Sequence, residues 1–513
     1  MASEVDPRGQ YTYHGFDRAG NATRMVNRRN QVTTATYDPL NRQLTRTTAD
    51  GPQTTYEYGP NDAWVQSSNS ESTVRTAFDV AGRPTQVQTT LGGVTYTQTN
   101  LFNAIGQRTK LRLASTLAGF GIDSIGYSYD AAGKLDTITD FSGQKTLIVR
   151  NDDGLEEARG LPNGEAIHRG YSSTHGTSAI TYNNLQLSRD YAFDANGRIR
   201  AQHRMYNNGG TDCGRFIRNY IYDRRGFLTF LEDVRVADDQ STCVANGLDY
   251  TPDGGVCSPT GVTEYLRDDY FTYDRVGNRT DRGATVEPGN RLTALNGFIA
   301  TYDADGNLTR KVKPGVDDVT LAWNSLGQLA SGWRHQRGSF AYGYDPLGRR
   351  VRRTGTNGIV TYYLYDGDDL LLEANASGYR IRQYTHSPGV DQPLSLHTGG
   401  ATYYYGSESP GHVSGLVNAA NQVVSLYRYN PWGEPEASTE TVVTQPLRHM
   451  AREWDEDVGM YQVRARWYDS QLGRFVSEDP IGLAGGINTY AVRGQQPGER
   501  DGPERAPLWI HDY

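Results

Sequence analysis

The hydrophobic and polar positions of this chain follow a short pattern that recurs along most of its length: an aromatic residue, Asp, two variable residues, Gly and a polar residue. The pattern predicts a strand, a tight turn and a second strand, because aromatic side chains favour a pleated surface and Asp and Gly favour turns. Windows with the period of a helix are few. Twelve copies start at Phe16, Tyr37, Phe78, Phe102, Tyr129, Phe193, Tyr222, Tyr273, Tyr302, Trp323, Tyr344 and Tyr365.

The spacing of these copies indicates a repeat architecture. The last four copies start 21 residues apart, and most other intervals are 21 to 29 residues. In such an array each hairpin buries its apolar side only against its neighbours, and a single long sheet must curl because its strands twist. We therefore predict an all-β fold in which an array of hairpins forms a curled, spiralling sheet.

The Asp of each copy is predicted to have a structural role. Its carboxylate can accept hydrogen bonds from backbone N–H groups ahead of it, and the Gly three residues later can adopt the positive φ that closes a short loop. A calcium loop is the alternative, but the spacing lacks the distant carboxylate ligand of such a loop, and we predict no metal. The aspartates assigned to turns are Asp38, Asp79, Asp130, Asp194, Asp223, Asp274, Asp303, Asp345 and Asp469.

Composition narrows the classes of partner and cofactor. The 513 residues carry a formal net charge of −8 spread along the chain, which argues weakly against nucleic acid as the main partner. No apolar run of about 18 residues exists for a transmembrane helix, the N-terminus does not have the form of a signal peptide, and the localisation stays open. The ten His residues have no metal-ligand spacing and no phosphate-binding loop occurs, so no cofactor is predicted.

Residues 207–268 depart from the repeat. This segment keeps one copy of the pattern but has long connections rich in Gly, Asp and Thr, and we interpret it as a surface insertion. It holds all three Cys residues of the chain, Cys213, Cys243 and Cys257, which are too few for a disulfide framework. A Cys243–Cys257 bridge and free thiols both stay open, and free thiols are favoured.

The C-terminal part carries a more specific signal. The stretch YRYNPWGEPEAS, from Tyr427, and the block QPLRHMAREWDEDVGMYQVRARWYDSQLGRFVSEDPIGLAGGINTY, over residues 445–490, resemble the core of the rearrangement hotspot (RHS) family. The twelve copies resemble the YD repeats of the same family. The resemblance implies repeats over residues 1–400, an RHS-associated core over 401–490 and an aberrant tail over 491–513.

The resemblance also implies a function. RHS proteins wind a β-sheet into a hollow shell that encloses a polymorphic C-terminal toxin, and the core closes one end of the shell. The core cuts the chain after itself by chemistry like that of an aspartic protease, in which two carboxylates share a site and an Arg assists. The implied partners are a toxin domain or other shell segments, with an immunity or secretion partner as a further option. Family members are typically secreted or displayed on the cell surface.

Two residues match the cutting site of the family. Arg466, in RARWYD, matches its Arg, and Asp479, in SEDPIGL, matches its first Asp. Without the resemblance, simple structural roles are favoured for both: an ion pair between them, and a turn cap by Asp479 before Pro480. The second Asp of the family lies in a later NP…DPxGL segment, which has no counterpart after Tyr490.

A shifted reading frame would explain the missing Asp. The tail after Tyr490 reads AVRGQQPGERDGPERAPLWIHDY. A back-translation of its first sixteen residues exists that, after deletion of one base in the Ala491 codon, encodes AYVGNNPVSETDPNGL. This segment contains the missing motif, with Asp at the position of Gly502 and the cleavage Leu within residues 504–506. We therefore expect a frameshifted, disordered tail, no self-cleavage and no toxin after it.

These observations support three hypotheses on function. The leading one is a fragment of a toxin-enclosing shell with a vestigial autoprotease core. The enzyme alternative is an autoprotease that stays active, with Asp501 in a shifted register as the second carboxylate. The adhesion alternative is a cell-surface protein whose aromatic-rich sheet binds carbohydrate, although Tyr residues at strand ends more often serve packing.

Overall fold

A computed structural model describes residues 2–51, 53–171, 177–182, 189–194, 196, 198–207, 213–237, 263–389, 391–407 and 412–492. Most of the predicted insertion, the pair Cys243 and Cys257, and the tail from residue 493 lie outside the described residues. The described part consists of β-strands with short 3-10 turns at Pro60–Asp62, His449–Ala451 and Gly482–Gly485. None of its helices is long and apolar enough to cross a membrane.

The strands are numbered in chain order. Up to residue 144 they are β1 (Ala2–Val5), β2 (Tyr11–Phe16), β3 (Ala22–Val26), β4 (Val32–Tyr37), β5 (Gln43–Thr47), β6 (Thr54–Tyr58), β7 (Trp64–Ser68), β8 (Ser72–Phe78), β9 (Pro84–Leu91), β10 (Val94–Phe102), β11 (Arg108–Ser115), β12 (Ile122–Tyr129) and β13 (Leu135–Thr139). From residue 145 to 281 they are β14 (Lys145–Arg150), β15 (Glu156–Gly160), β16 (Ala166–Tyr171), β17 (Thr177–Tyr182), β18 (Arg189–Phe193), β19 (Ile199–Asn207), β20 (Cys213–Tyr222), β21 (Leu228–Ala237) and β22 (Thr263–Tyr270).

The remaining strands follow residue 282. They are β23 (Thr285–Glu287), β24 (Arg291–Leu295), β25 (Phe298–Tyr302), β26 (Leu308–Lys313), β27 (Asp317–Trp323), β28 (Leu329–Arg334), β29 (Gly338–Tyr344), β30 (Arg350–Thr354), β31 (Val360–Asp366), β32 (Asp369–Asn375), β33 (Arg380–His386), β34 (Pro393–Thr398), β35 (Ala401–Ser407), β36 (Val413–Val417), β37 (Val423–Tyr429), β38 (Pro435–Glu440), β39 (Glu453–Asp455), β40 (Met460–Val463), β41 (Arg466–Asp469) and β42 (Arg474–Phe475).

The chain divides into two compact units. The first unit contains Met1–Gln144, Arg282–Thr402 and Arg452–Ala491, and the second contains Lys145–Asp281, Tyr403–Ala451 and Val492–Tyr513. Within each unit, strands that follow one another along the chain pair antiparallel, as in β9–β10 and β28–β29 of the first unit and β20–β21 of the second. The predicted all-β array of hairpins is confirmed. The predicted domain boundaries at residues 400 and 490 stay a prediction.

The repeat pattern folds as a hairpin with a three-residue loop. In the copy at Tyr37, the Asp38 N–H donates to the Arg42 carbonyl at 2.9 Å and the Asn41 N–H donates to the Asp38 carbonyl at 3.0 Å. The last loop residue has a left-handed φ, 63° at Asn41 and 88° at Gly348. Gly adopts this conformation without strain and Asn tolerates it, which explains the two residue types at this position.

Aromatic side chains connect several hairpins to the preceding one. In these hairpins the phenol hydroxyl at the end of one strand donates to the carbonyl of the first strand residue after the preceding turn, 15 residues upstream. The indole N–H of Trp323 makes the equivalent bond to Leu308 at 2.6 Å. Such bonds satisfy backbone carbonyls that would otherwise be buried without a partner. Examples at 2.8 Å are Tyr58 to Gln43, Tyr344 to Leu329 and Tyr365 to Arg350.

The core of the first unit joins the repeats to the C-terminal block. Repeat residues such as Leu308, Val319 and Leu329 are fully buried and pack in one cluster with Met460 and Trp467, which belong to the small sheet β39–β42. Burial of these side chains is the main favourable contribution to the packing of the small sheet on the repeats. The small sheet is thereby fixed against β26–β29, and it carries the candidate site.

A buried ion cluster also links the repeats to the small sheet. Arg350, only 2% exposed, pairs with Glu453 and, at 3.0 Å, with Asp455 of β39. Its guanidinium also lies 4.5 Å from the ring centre of Tyr363. A buried Arg needs such partners, since an unpaired buried charge is strongly unfavourable.

Candidate functional site

The candidate site is an ion pair at the end of the small sheet. Arg466 is the first residue of β41, and Asp479 follows β42 directly before Pro480. The Arg466 Nη2 lies 3.1 Å from the Asp479 Oδ2, and the two side chains are 12% and 18% exposed. The structure therefore brings together the two residues that the resemblance assigned to the cutting site.

Several contacts orient Arg466. Its guanidinium lies 3.6 Å from the ring centre of Phe475, a cation–π contact with the neighbouring strand β42. Its Nη1 donates to the Thr489 carbonyl at 3.3 Å. Burial lowers the pKa of Arg466 to about 10, although the charge of Asp479 acts in the opposite direction. The side chain thus stays charged at neutral pH, but its burial is only partly offset by its partner.

Asp479 is held by its own turn. Its Oδ1 accepts from the Ile481 N–H at 3.1 Å, and its carbonyl accepts from the Gly482 N–H at 2.8 Å. Its N–H donates at 2.9 Å to the carbonyl of Thr489, which also accepts a hydrogen bond from Arg466. The geometry thus contains both structural roles that the sequence left open, an ion pair with Arg466 and a turn cap before Pro480.

A glycine lies close to this carboxylate. A Cβ atom at Gly485 would lie 2.8 Å from the Asp479 Oδ2. Gly485 ends the 3-10 turn Gly482–Gly485, so this short turn passes directly beside the carboxylate. The sequence did not single out Gly485, because it belongs to no repeat copy.

The chain segment after the turn is anchored by Tyr490. This side chain is fully buried, and its hydroxyl donates to the Gly306 carbonyl at 2.6 Å. Its own carbonyl accepts from the Phe475 N–H at 3.1 Å, and Arg474 lies 4.7 Å from its ring centre. Burial raises the pKa of Tyr490 well above its usual value. Thr489 is therefore fixed in place beside the ion pair.

Glu478, next to Asp479, contacts a different part of the first unit. Its carboxylate pairs with Arg28 at 2.7 Å and with the buried Arg291 at 3.5 Å. Arg28 also pairs with Asp6 at 3.0 Å. Sequence reasoning missed this network, because Arg28 and Glu478 are separated by 450 residues and lie in unrelated motifs.

Among the described residues, the ion pair of Arg466 and Asp479 contains one carboxylate. An aspartic-protease mechanism needs two carboxylates whose pKa values are pushed apart, so that one activates water and the other donates a proton. Within the described residues, Asp479 is the one carboxylate that raises the pKa of Arg466. The position of the expected second Asp, Gly502, and the alternative Asp501 both lie outside the described residues.

Asp469 lies in a separate, closed environment. It is 0% exposed, and its Oδ2 lies 2.6 Å from the Nζ of Lys311, which is itself 2% exposed. Its Oδ1 accepts from the N–H groups of Gln471 and Leu472, at 2.9 and 3.1 Å. The loop is one residue longer than in the repeats, since the Gly473 N–H, four residues on, donates to the Asp469 carbonyl.

The other predicted turn aspartates share one geometry. One carboxylate oxygen accepts from the N–H four residues ahead at 2.8–3.0 Å in Asp38, Asp79, Asp130, Asp194, Asp223, Asp274, Asp303 and Asp345. Where the residue four positions on is Arg, it pairs with the same carboxylate, at 2.8 Å in Arg349–Asp345. The pKa of Asp38 and of Asp79 lies below the usual range because of these hydrogen bonds.

Metal coordination finds no support among the described residues. No group of three or more His, Cys, Asp or Glu side chains is close enough there to hold an ion. The turn aspartates are engaged instead by backbone N–H groups and by Arg or Asn side chains.

The repeated hairpins, their aromatic connections and the small C-terminal sheet define an all-β YD-repeat protein. The family model of the Teneurin YD-shell matches residues 180–490, and the chain belongs to this family. The resemblance to RHS proteins, which share the YD shell, is thereby confirmed.

Two toxin or nuclease proteins align with the chain. The tRNA3(Ser)-specific nuclease WapA of Bacillus spizizenii is 31% identical over 263 residues, 47% of this chain and 11% of that protein. The double-stranded DNA deaminase toxin A of Burkholderia cenocepacia is 25% identical over 568 aligned residues, 96% of this chain and 38% of that protein. The chain thus spans well under half the length of these relatives.

A solved structure shares the fold. The crystal structure of TcdB2-TccC3 superposes with a TM-score of 0.61 at 14% identity, over 96% of this chain and 28% of that one. At this level of identity the likeness concerns the fold alone. It supports the assignment of the hairpin array to the fold of an RHS shell.

Proposed function

We propose that this chain forms part of the wall of an RHS shell that encloses a toxin. The observation that carries the proposal is the alignment with the deaminase toxin, which includes 96% of this chain but 38% of the toxin protein. In the deaminase toxin, the part that matches this chain is therefore one segment of a longer protein. A repeat array is suited to a wall, because each hairpin is stabilised by its neighbours and the array can be extended without a new core.

The contacts of the described residues support an architectural role. Turn carboxylates are saturated by backbone N–H groups, Tyr hydroxyls bind backbone carbonyls, and Arg350 and Lys311 are buried in ion pairs. Polar groups satisfied in this way make a sheet rigid and keep water out of its packed face. Toxin or other shell segments are the partners that we propose, and an immunity or secretion partner is a further proposal.

The Arg466–Asp479 pair is proposed to be a remnant of a self-cleavage site that now serves structure. Two observations support this role: within the described residues Asp479 is the one carboxylate that acts on Arg466, and both residues bind the carbonyl of Thr489 and so fix the segment that leads to Tyr490. The proposal includes loss of self-cleavage. The alternative of an active autoprotease that uses Asp501 predicts a cleaved chain, and intact mass distinguishes the two.

Enclosure can be tested with a protease-sensitive reporter domain. Joined to the C-terminus of the chain, the reporter should resist trypsin for as long as the repeats stay folded. The matched control carries the same reporter at the N-terminus, where digestion at the rate of the free reporter is expected. Equal digestion of both fusions would count against a toxin-enclosing wall.

The proposed frameshift has its own test, which is the base sequence of the gene. The region after the Tyr490 codon should encode AYVGNNPVSETDPNGL once a single base in the Ala491 codon is removed. If the gene lacks this second frame, the frameshift proposal is wrong and the tail has a different origin. The assignment of Arg466 and Asp479 to a structural pair does not depend on this result.

A further inference from the structure

A Ser hydroxyl, a His ring and a Thr hydroxyl meet on the first unit. Ser142 lies in the turn between β13 and β14, His397 lies in β34, and Thr402 lies in β35. All three residues belong to the first unit, and the turn of Ser142 is not one of the twelve repeat copies. The repeat turns and the pair of Arg466 and Asp479 use none of these side chains.

The three polar groups lie within hydrogen-bonding distance of one another. The Ser142 hydroxyl is 3.3 Å from the His397 Nδ1 and 3.0 Å from the Thr402 hydroxyl. The Thr402 hydroxyl is in turn 3.1 Å from the same Nδ1. In the tautomer that carries its proton on Nε2, the His397 Nδ1 accepts a hydrogen bond from Ser142. A Ser hydroxyl that donates to an imidazole nitrogen is the arrangement of a nucleophile and its general base.

Asp140 fixes the turn that presents Ser142. Its Oδ1 accepts from the N–H groups of Ser142 and Gln144, at 2.8 and 2.9 Å. The carboxylate is buried and also accepts from the side chain of Ser395, two residues before His397 on β34. Burial raises the pKa of Asp140, while these hydrogen bonds and the charge of His397 act in the opposite direction. An ionised Asp140 therefore stabilises the imidazolium that a proton from Ser142 would create on His397.

A second turn of the first unit offers a matched comparison. Ser377 is exposed like Ser142, and its N–H donates to the Asn375 Oδ1 at 3.0 Å, as the Ser142 N–H donates to Asp140. Within the part of the chain that the structure describes, no His ring bonds to the Ser377 hydroxyl. The two Ser residues thus share a turn position and differ in the neighbouring base.

We propose that Ser142 is a nucleophile that hydrolyses short-chain carboxylic esters, with His397 as its general base. The Ser142 Oγ forms a bond to the carbonyl carbon of the ester, and its proton passes to the His397 Nδ1. The bond to the leaving alcohol then breaks, and the alcohol oxygen takes that proton from His397. A water molecule that gives a proton to His397 attacks the acyl group in the same way. The acid leaves, and the Ser142 oxygen regains the proton.

The Thr402 hydroxyl supplies a donor for the negative charge that develops on the carbonyl oxygen. It lies 3.0 Å from the Ser142 Oγ, so it is next to the acyl carbon once the ester bond to Ser142 forms. A donor placed at such an oxygen lowers the barrier to acyl transfer. The backbone N–H groups of residues 142–144 are already bonded to Asp140.

The exposure of Ser142 determines the class of ester. Ser142 and the adjacent Gly143 are both exposed at the tip of the turn, so a small ester reaches the Ser oxygen without a channel. The tip offers little apolar surface to a long acyl chain, and short acyl groups are therefore the expected substrates. This activity is independent of the proposed shell role, and either can hold without the other.

Labelling of the purified full-length chain with a fluorophosphonate tests the nucleophile. The probe reacts with Ser oxygens that a neighbouring base activates, and peptide mass spectrometry locates the label. The label is expected on Ser142 and not on Ser377. Absence of the label from Ser142, or equal labelling of Ser142 and Ser377, would overturn the proposal.

Hydrolysis of p-nitrophenyl acetate measures the activity in three variants. Ser142→Ala and His397→Gln should each lower the rate about tenfold or more, since general-base assistance contributes about 10²–10⁴. Ser377→Ala is the control and should keep the wild-type rate, and circular dichroism verifies that each variant is folded. Because Ser142 is exposed, Ser142→Ala decides the outcome even if His397→Gln fails to fold. An unchanged rate in Ser142→Ala, or undiminished labelling of Ser142 in folded His397→Gln, would refute the assignment.

Discussion

Two ion pairs that involve the small C-terminal sheet differ in how deeply they are buried. Lys311 and Asp469 are 2% and 0% exposed, lie 2.6 Å apart, and share further hydrogen bonds with Gln471 and Leu472. Arg466 and Asp479 are 12% and 18% exposed and lie 3.1 Å apart. The first pair is closed on all sides, whereas the second lies at the edge of the sheet.

The two pairs also differ in what each charge gains from its partner. In the closed pair, removal of either partner leaves a charge in an apolar interior. In the edge pair, burial already outweighs the attraction of Asp479, since the pKa of Arg466 falls to about 10. Burial thus disfavours the charged form of Arg466 more than the attraction of Asp479 favours it.

The largest effect is expected for Asp469→Ala. This change leaves the Lys311 ammonium buried and unpaired, and it should lower the free energy of unfolding of the first unit by about 3–5 kcal/mol. Urea denaturation, followed by the fluorescence of the buried Trp467, measures the change. The control is Asp38→Ala in a repeat turn, where a clearly smaller loss is expected because no buried charge is left unpaired. Similar losses in both variants would remove the distinction between the closed pair and an ordinary turn.

A buried histidine of the second unit, His449, should make the stability depend on pH. The rings of His412 and His449 stack with centres 4.2 Å apart, and Tyr429 lies 5.7 Å from His449. Burial, followed by the charge of His412, lowers the pKa of His449 well below its usual value. The His412 Nδ1 also accepts from the Met450 N–H at 2.9 Å, a bond that protonation at this nitrogen would abolish.

The sign of the effect follows from this lowered pKa. The unfolded chain takes up a proton at His449 near pH 6.5 and the folded chain does not, so stability is full above pH 6.5 and declines below it. The slope is about 1.4 kcal/mol per pH unit for one proton. Urea denaturation at pH 7.5 and pH 5.5 should show the loss, and His449→Gln should reduce it. A wild-type slope that His449→Gln leaves unchanged would assign the dependence to other groups.

A smaller effect is expected for the aromatic connections. Tyr344→Phe removes the hydroxyl that donates to the Leu329 carbonyl in a buried position. A loss of about 1–2 kcal/mol in the free energy of unfolding should result. Tyr37→Phe is the matched control, because the Tyr37 hydroxyl bonds to Ala22 at an exposed site. The interpretation fails if the exposed Tyr37→Phe variant loses as much as the buried one.

The smallest effect is expected at the edge pair. Arg466→Met keeps the apolar stem over Phe475 and removes the buried charge, so the stability should change by less than about 1 kcal/mol in either direction. Thermal and urea denaturation of wild type and variant give the difference. A loss as large as that of Asp469→Ala would show that Arg466 is as essential to the fold as Lys311.

Much of the fold could be predicted from the sequence because its signals are local and repeated. Asp38 and Asn41, or Asp345 and Gly348, lie within one turn, and their hydrogen bonds and φ values follow from the residue types. Twelve copies in one chain turn a weak pattern into a strong one. The hydroxyl bonds of the Tyr residues were not predicted, since each connects two hairpins and depends on strand register.

The site was predicted only in part. The pairing of Arg466 with Asp479 was among the alternatives, because both lie in one short block. The roles of Gly485, Glu478 and Arg28 depend on contacts between distant segments, which no pattern of a single sequence encodes. Asp469 matched a repeat turn by its neighbours, but its buried partner Lys311 lies 158 residues away.

Intact mass spectrometry of the purified chain tests the central claim most directly. If the Arg466–Asp479 pair is a structural remnant, the wild-type chain should show the mass of all 513 residues after prolonged incubation, as should the Asp479→Asn variant. A discrete wild-type product that lacks the tail, absent from Asp479→Asn, would contradict the claim and identify Asp479 as a working catalytic residue.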